Sequence, residues 1–147
     1  MREMRRKDKA VPEDYAYEIL NSGEFGVLST VSEEGKPYGV PLNFCVIDNC
    51  VYFHCAIEGE KIDNIRQNPY VSFCVVGETE ILPEEFTTKY ESVIIFGKIE
   101  EVFNGEKQKG LEGLVRKYTP EFFDKGIKYI PTQIKQTRVF KVTIERI

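Results

Sequence analysis

The stretch VYFHCAIEGEKIDNIRQNPYVSFCVVG, residues 51–77, decides the fold of this chain. Its two ends are rich in β-branched and aromatic residues, which indicates a strand at each end. Between them, EKIDNIRQN has two isoleucines three residues apart and predicts a short helix that stops before Pro69. The first strand holds the only histidine, His54, whose side chain ordinarily titrates near neutral pH.

The segments on either side of this stretch predict a mainly antiparallel β protein. Strands are predicted over residues 25–31, 38–47, 51–56, 70–76, 91–103 and 137–147. Helices are predicted over 12–21, with Pro12 at the first position, over 60–68, and after Asn104 and Thr119 as N-caps. Six strands with short helices between them predict an α+β protein, a small six-stranded antiparallel β-barrel with flanking helices, in one domain over residues 1–147.

Length and charge restrict the class of protein. The chain has 147 residues and a net charge of -4, which argues against a nucleic-acid binder because phosphate neutralisation needs a basic surface. No apolar run approaches the roughly 20 residues that span a bilayer, and no apolar segment follows the basic N-terminus, so we expect a cytoplasmic protein without membrane association. The spacing of the four cysteines matches no common zinc or iron–sulfur pattern, which favours free thiols and no metal.

The pairing register of the predicted hairpin divides its side chains between two faces. If Asp48-Asn49 is a two-residue turn, Ile47 pairs with Cys50 and Asn43 lies opposite His54. One face is then entirely apolar and predicts the core: Leu42, Phe44, Val46, Val51, Phe53 and Cys55. The other face mixes apolar and hydrogen-bonding groups without Lys, Glu or Asp, so we expect a subunit or ligand to cover it: Pro41, Asn43, Cys45, Ile47, Cys50, Tyr52, His54 and Ala56.

Two further features predict a ligand site near this face. Pro41 cannot donate to a strand ladder, so the strand that contains it is expected to be unpaired on one side, where a planar ligand could bind main-chain groups. Gly59 predicts a turn into the start of a helix, where free N–H groups favour an anion and Lys61 adds a positive charge. Together they predict a phosphate-binding corner beside a half-polar face.

The segment FHCAIEGEKIDNIRQNPYVSFCVVG resembles the signature of the flavin-binding split-barrel proteins related to pyridoxamine 5'-phosphate oxidase, and within them the nitroimidazole-resistance (Nim-type) branch. That branch typically reads Phe-His-x-Ala-x-x-Gly-x-Lys-x-Asp-x-[Ile/Leu] and then Asn-Pro. The matching residues here are Phe53, His54, Ala56, Gly59, Lys61, Asp63, Ile65, Asn68 and Pro69. MRRKDKAV, GVLSTVSEEGKPYGVPLNF and YESVIIFGKIEEV are also similar to family segments, so the resemblance covers nearly the whole chain.

The resemblance implies a split β-barrel homodimer with FMN at two interface sites. It places Lys61 at the FMN phosphate and His54 beside the flavin, as the catalytic residue. The main chain against the isoalloxazine is then that of Pro41, Leu42, Asn43 and Phe44, and the main chain leading to the phosphate is that of Ala56, Ile57 and Glu58. Ser29, Thr30 and Ser92 are additional expected contacts, Ser92 from either subunit.

Three functions are compatible with these patterns. The first is an FMN-dependent reductase of nitroaromatic compounds such as 5-nitroimidazoles, with His54 as proton donor because its ordinary pKa of ~6.5 makes both forms available. The second is a non-enzymatic flavin-binding or sensing protein, and the same fold also serves binders of heme and F420. The third is a structural α+β domain that dimerises through the mixed face. Pyridoxamine 5'-phosphate oxidase activity is less expected, because the late segment offers Lys135 and Arg138 where the longer oxidases of the family carry additional arginines.

Overall fold

The computed structural model describes residues 2–147, and its strands form one antiparallel sheet. The seven strands are β1 Gly26–Val31, β2 Pro37–Leu42, β3 Cys45–Ile47, β4 Cys50–Cys55, β5 Tyr70–Leu82, β6 Thr87–Val102 and β7 Arg138–Arg146. The helices are α1 Glu13–Ser22, α2 Glu60–Gln67, α3 Asn104–Tyr118 and α4 Phe123–Gln133. The sheet order is β2-β1-β5-β6-β7-β4-β3. None of the helices within residues 2–147 is long and apolar enough to cross a lipid bilayer.

The predicted strand over 38–47 is two strands at opposite edges of the sheet, which corrects the sequence-based assignment. β2 pairs only with β1, and β3 pairs only with β4. The chain crosses between the edges at Asn43-Phe44, because Phe44 turns into the core and is 0% exposed. Since β2 and β3 do not pair, the sheet does not close, and the expected six-stranded barrel is instead an open seven-stranded sheet. Pro41 lies on an edge strand, as predicted.

The hairpin register is confirmed at its turn and wrong beyond its third pair. Ile47 pairs with Cys50, and Asp48 and Asn49 both have positive φ, 48° and 61°, as a two-residue turn of this kind requires. The ladder ends where Cys45 pairs with Tyr52, so the expected pairs of Asn43 with His54 and of Phe44 with Phe53 do not form. The other edge of β4 pairs with β7, which places His54 opposite Val139.

β5 and β6 form a hairpin longer than the sequence indicated. Their ladder continues past an irregularity between Val76 and Thr79 to a tip at residues 83–86. The sequence does not predict this extension, because its residues are largely polar and do not alternate as a half-buried strand does. The predicted bulge at Gly97 is confirmed by the register shift between β6 and β7, and a Cβ at Gly97 would lie 2.1 Å from the carbonyl oxygen of Thr143.

The mixed face of the hairpin is covered by helices of the same chain. Tyr52 is 3% exposed and Cys45 is 4% exposed, and both pack beneath α3 and α4. The expectation that a second subunit or a ligand covers this face is therefore wrong for these residues. The helices and the strands beneath them form an apolar cluster separate from the main core: Leu111, Leu114 and Ile130 from the helices, and Cys45, Tyr52, Val102 and Val139 from the strands.

Of the two N-caps predicted downstream, Asn104 is wrong, whereas Thr119 is the N-cap of the short 3-10 helix Pro120–Phe122 before α4, with Pro120 at its first position as predicted. Asn104 is the first residue of α3, has a φ of 52° and makes no capping hydrogen bond. The Thr119 hydroxyl donates to the carbonyl of Val115 at 3.0 Å, so it serves the end of α3 and not the start of α4. A threonine hydroxyl here can accept from an N–H of the helix that follows or donate to a carbonyl of the helix that precedes it, and in this structure it donates to the preceding helix.

Candidate functional site

The loop between β4 and α2 is held by an arginine distant in sequence. Arg138 donates to both carboxylate oxygens of Glu101, at 2.8 and 2.7 Å, and its third nitrogen donates to the carbonyl of Ile57 at 3.0 Å. The pair is only partly exposed, 23% for the Arg138 side chain and 21% for that of Glu101. The guanidinium lowers the pKa of Glu101, so this carboxyl is ionised at neutral pH. The segment from Ala56 to Glu58 therefore has one fixed carbonyl within an otherwise exposed loop.

Lys61 lies just after that loop, in the first turn of α2. The turn depends on Gly59, whose φ of 153° is disfavoured for residues with a side chain. The carbonyl of Gly59 accepts hydrogen bonds from the N–H groups of Ile62 and Asp63. Lys61 is half-buried, and within residues 2–147 it forms no ion pair. A cation of this kind is suited to a phosphate or another anion.

A buried hydrogen bond fixes α2 against β1. The Asn64 side-chain amide donates to the Thr30 hydroxyl at 3.0 Å, and these residues are 3% and 1% exposed. Asn64 follows Lys61 by one helical turn, so this contact also fixes the turn that presents the lysine. In this structure the Thr30 hydroxyl serves the α2 contact and is buried, whereas the neighbouring Ser29 is exposed on the opposite face of the strand.

Three expected contact residues share the outer face of the sheet. Ser29 lies on β1, Pro41 on β2 and Ser92 on β6, all exposed and all on the side away from the core. The same face exposes Ile94, at 49%, and Val76, at 53%, whose backbone pairs with that of Ser92. This outer face thus combines hydroxyls, a free strand edge and uncovered apolar surface.

The crossing between the two sheet edges is fixed by Tyr118. The Phe44 N–H donates to the Tyr118 hydroxyl at 3.0 Å, and that hydroxyl donates to the carbonyl of Glu24 at 2.6 Å. The Phe44 amide is therefore used within the chain, whereas Asn43 is exposed and Leu42 is half-buried. Asn43 lines a cavity of about 560 Å³ beside the Lys117 side chain.

Lys117 is a buried amine at the same crossing. Its Nζ has no hydrogen-bond partner within residues 2–147 and lies 3.6 Å from the centroid of the Phe44 ring. Desolvation lowers the pKa of Lys117, and the ring offsets part of that cost through a cation–π contact.

His54 faces a second, larger cavity. This cavity, about 660 Å³, lies between the sheet and the two helices α3 and α4. The imidazole is exposed to the cavity and makes no hydrogen bond to protein within residues 2–147, and desolvation by the surrounding protein lowers its pKa from 6.5. At neutral pH it is therefore a neutral imidazole, with one ring nitrogen as donor and the other as acceptor.

The expected site residues thus occupy several regions of the chain. The loop 56–58 and Lys61 form one corner, Ser29, Pro41 and Ser92 share the outer face, and His54 faces the helical cavity. Thr30 and Phe44 have buried side chains. Sequence reasoning missed the positioning roles of three residues, because their partners are 81, 34 and 74 positions away: Arg138, Asn64 and Tyr118.

Solved structures with the same fold include several cofactor-binding proteins. A candidate 5-nitroimidazole antibiotic resistance protein from Bacteroides thetaiotaomicron has 23% identity and a TM-score of 0.76, over 93% of this chain and 82% of its own. A conserved hypothetical protein from Mycobacterium tuberculosis has 20% identity and a TM-score of 0.82, over 98% and 87%. A FAD-binding protein from Mesorhizobium loti has 24% identity and a TM-score of 0.64, over 92% and 91%.

At these identities the solved structures establish the fold alone. Among curated proteins, none matches the sequence. The family model described as pyridoxamine 5'-phosphate oxidase matches residues 12–147, which includes every strand of the sheet and all the expected contact residues. The chain therefore belongs to the pyridoxamine 5'-phosphate oxidase-like family.

Proposed function

We propose that this protein binds FMN at the interface of a homodimer and reduces nitroaromatic compounds such as 5-nitroimidazoles. Membership of the pyridoxamine 5'-phosphate oxidase-like family supports a flavin. The observation that carries the proposal is the corner after β4, where Arg138 fixes the Ile57 carbonyl and Lys61 remains without an ionic partner in residues 2–147. An unpaired, half-buried cation at the start of a helix fits the terminal phosphate that distinguishes FMN from riboflavin.

The residues of this chain fit a flavin in three respects. Lys61 would hold the phosphate, the edge of β2 would offer main-chain groups to the ring, and Ser29 and Ser92 would offer hydroxyls. Bound FMN, once reduced, would supply two electrons and one proton, and a protein donor would supply the second proton, so that a nitro group becomes a nitroso group as one water leaves. The chain's own contribution is binding, orientation and proton transfer.

His54 is the proposed proton donor to the substrate. Its ring nitrogen faces a cavity large enough for a small molecule, and no protein group competes for it within residues 2–147. Desolvation lowers its pKa from 6.5, so at pH 6.5 and above the imidazolium is already the minor form. A step that needs this proton should therefore slow as pH rises through a value under 6.5.

A second copy of the chain would unite the separated site residues. The corner at Lys61 and the outer face at Ser29 and Ser92 lie on different surfaces of one chain, and the outer face has uncovered Ile94 and Val76. Burial of this apolar surface in a dimer would place a cofactor between the two sets. The wild-type protein should sediment as a dimer at micromolar concentration and the Ile94→Glu variant as a monomer; a monomeric wild type with FMN present would refute the dimer.

Flavin binding is tested by spectrum and titration. The purified protein should show flavin absorption, whereas a Soret band would identify heme instead. Lys61→Ala should weaken FMN binding by about 1.5–3 kcal/mol and leave riboflavin binding nearly unchanged, because only FMN has the phosphate. Lys89→Ala, an exposed lysine on β6, is the matched control. Equal losses for both ligands would show that Lys61 does not contact the phosphate.

Reductase activity is tested by stopped-flow reoxidation of the reduced protein with a nitroimidazole. His54→Asn should retain FMN and lose about 10²–10⁴-fold in rate, together with the pH dependence of the wild type. Reoxidation no faster than that of free reduced FMN would identify a flavin-binding protein without this activity.

A further inference from the structure

We propose that the cavity between α3, α4 and β4 binds an organic anion with a large apolar body, and that this is the substrate class of the flavin site. That this ligand is a substrate rests on the proposed function, whereas its binding to the cavity does not require a flavin. The cavity of about 660 Å³ falls within the range of roughly 300–1,000 Å³ that is typical of sites for drug-sized ligands.

The walls of the cavity are apolar. Leu111, Leu114 and Ile130 are buried side chains that form its base, and Val115 and Ile134 extend it. Such a surface favours a hydrophobic molecule, because burial of apolar area contributes about 25 cal/mol per Å².

Aromatic side chains stand at the mouth of the same cavity. Phe122 is 64% exposed and Tyr129 is 62% exposed, although both line it. Large aromatic groups left in solvent beside an apolar opening gain contact area when a ring system enters. The mouth therefore favours an aromatic body over an alkyl chain.

The charges around the cavity have one sign. Lys125 and Lys128 line it, and neither forms an ion pair in residues 2–147. No Asp or Glu is among its lining residues in the described part of the chain. An anionic group at the mouth would meet two free ammonium groups, whereas a cation would find no partner.

These features combine with His54, which lines the cavity from β4, whereas the two lysines line it from α4. A ligand with its carboxylate or sulfonate at the lysines would extend its apolar body toward the neutral imidazole. A 5-nitroimidazole is small and carries no anionic group, so it would use neither the walls nor the lysines fully. The geometry therefore points to an aromatic anion, with the reducible group at the end away from its charge.

The test uses two fluorescent probes with similar apolar bodies. 1-Anilinonaphthalene-8-sulfonate is an anion and N-phenyl-1-naphthylamine is neutral. The double variant Lys125→Gln/Lys128→Gln should bind the anionic probe about fourfold more weakly, roughly twofold for each exposed charge contact, and the neutral probe as tightly as wild type does. The control Lys36→Gln/Lys89→Gln removes two exposed lysines that do not line the cavity and should change neither affinity.

A second variant separates this cavity from other apolar surface that could bind the probes. Thr132→Trp introduces a large ring at an exposed lining position and should weaken both probes. Unchanged affinity in both the lysine variant and Thr132→Trp would overturn the proposal, as would an equal loss in the control pair. Retained circular dichroism would confirm that each variant is folded.

Activity connects the cavity to the flavin. The KM for 4'-nitrobiphenyl-4-carboxylate should rise in Lys125→Gln/Lys128→Gln, and that for neutral 4-nitrobiphenyl should not. A protein that binds the probe as expected but carries no flavin would refute the proposed function and leave the cavity assignment intact. If the protein carries flavin but the variants bind the probes as tightly as wild type does, only the cavity assignment is refuted.

Discussion

Replacement of Arg138 by methionine should destabilise the protein and loosen the loop that precedes Lys61. The change removes two hydrogen bonds to Glu101, at 2.8 and 2.7 Å, and one to the Ile57 carbonyl at 3.0 Å. Removal of one partner of a buried pair costs about 3–5 kcal/mol and of an exposed pair about 0.2–1 kcal/mol. With side chains 23% and 21% exposed, we expect a loss of about 2 kcal/mol in the free energy of unfolding.

The assay is thermal and urea unfolding followed by circular dichroism at fixed protein concentration. A loss of about 2 kcal/mol corresponds to a fall of roughly 4–8 °C in Tm for a domain of this size. The double variant Arg138→Met/Glu101→Met should recover much of the loss, because it also removes the Glu101 carboxylate that the single variant leaves partly buried without its cation. Lys109→Met is the control: its ion pair with Asp48 is short, 2.6 Å, but exposed, so it should change stability by under about 1 kcal/mol.

The pH dependence gives an independent check. Arg138 lowers the pKa of Glu101 in the folded state from 4.5, so the unfolded state binds the proton more tightly. The stabilisation is therefore fully present above pH 4.5 and is lost as pH falls through the lower folded pKa. The difference between wild type and Arg138→Met should narrow in that acidic range. Equal Tm values for wild type and Arg138→Met at neutral pH would refute this reasoning.

Three further predictions concern contacts that the fold brings together. Asn64→Leu should cost about 1–3 kcal/mol in urea unfolding, because it strands the buried Thr30 hydroxyl; addition of Thr30→Val should restore part of it. Tyr118→Phe should cost about 1–2 kcal/mol by removing the bridge between Phe44 and Glu24, and an unchanged unfolding midpoint would contradict that role. Wild-type stability should decline as pH falls through 6.5, because the folded pKa of His54 is lowered; His54→Gln should lack that part of the decline.

Local patterns alone determined several parts of this protein. The turn at Asp48-Asn49 and the short helix after Gly59 depend on neighbouring residues only, and both are present where the sequence placed them. The edge position of Pro41 follows from its missing N–H, and the inward alternation of Val51, Phe53 and Cys55 follows from strand period. The family signature also lies within one continuous segment, so the sequence sufficed to recognise it.

Only the tertiary structure decided how those parts meet. The separation of β2 from β3 depends on Phe44, which packs edge-on against Phe73 at 4.9 Å between ring centroids, and strand alternation contains no information about that contact. Whether a helix or a second subunit covers Tyr52 depends on where α3 docks, since an apolar face specifies burial and not its partner. The contact of Arg138 with Ile57 joins residues 81 positions apart, and it exists because β4 and β7 are neighbours in the sheet.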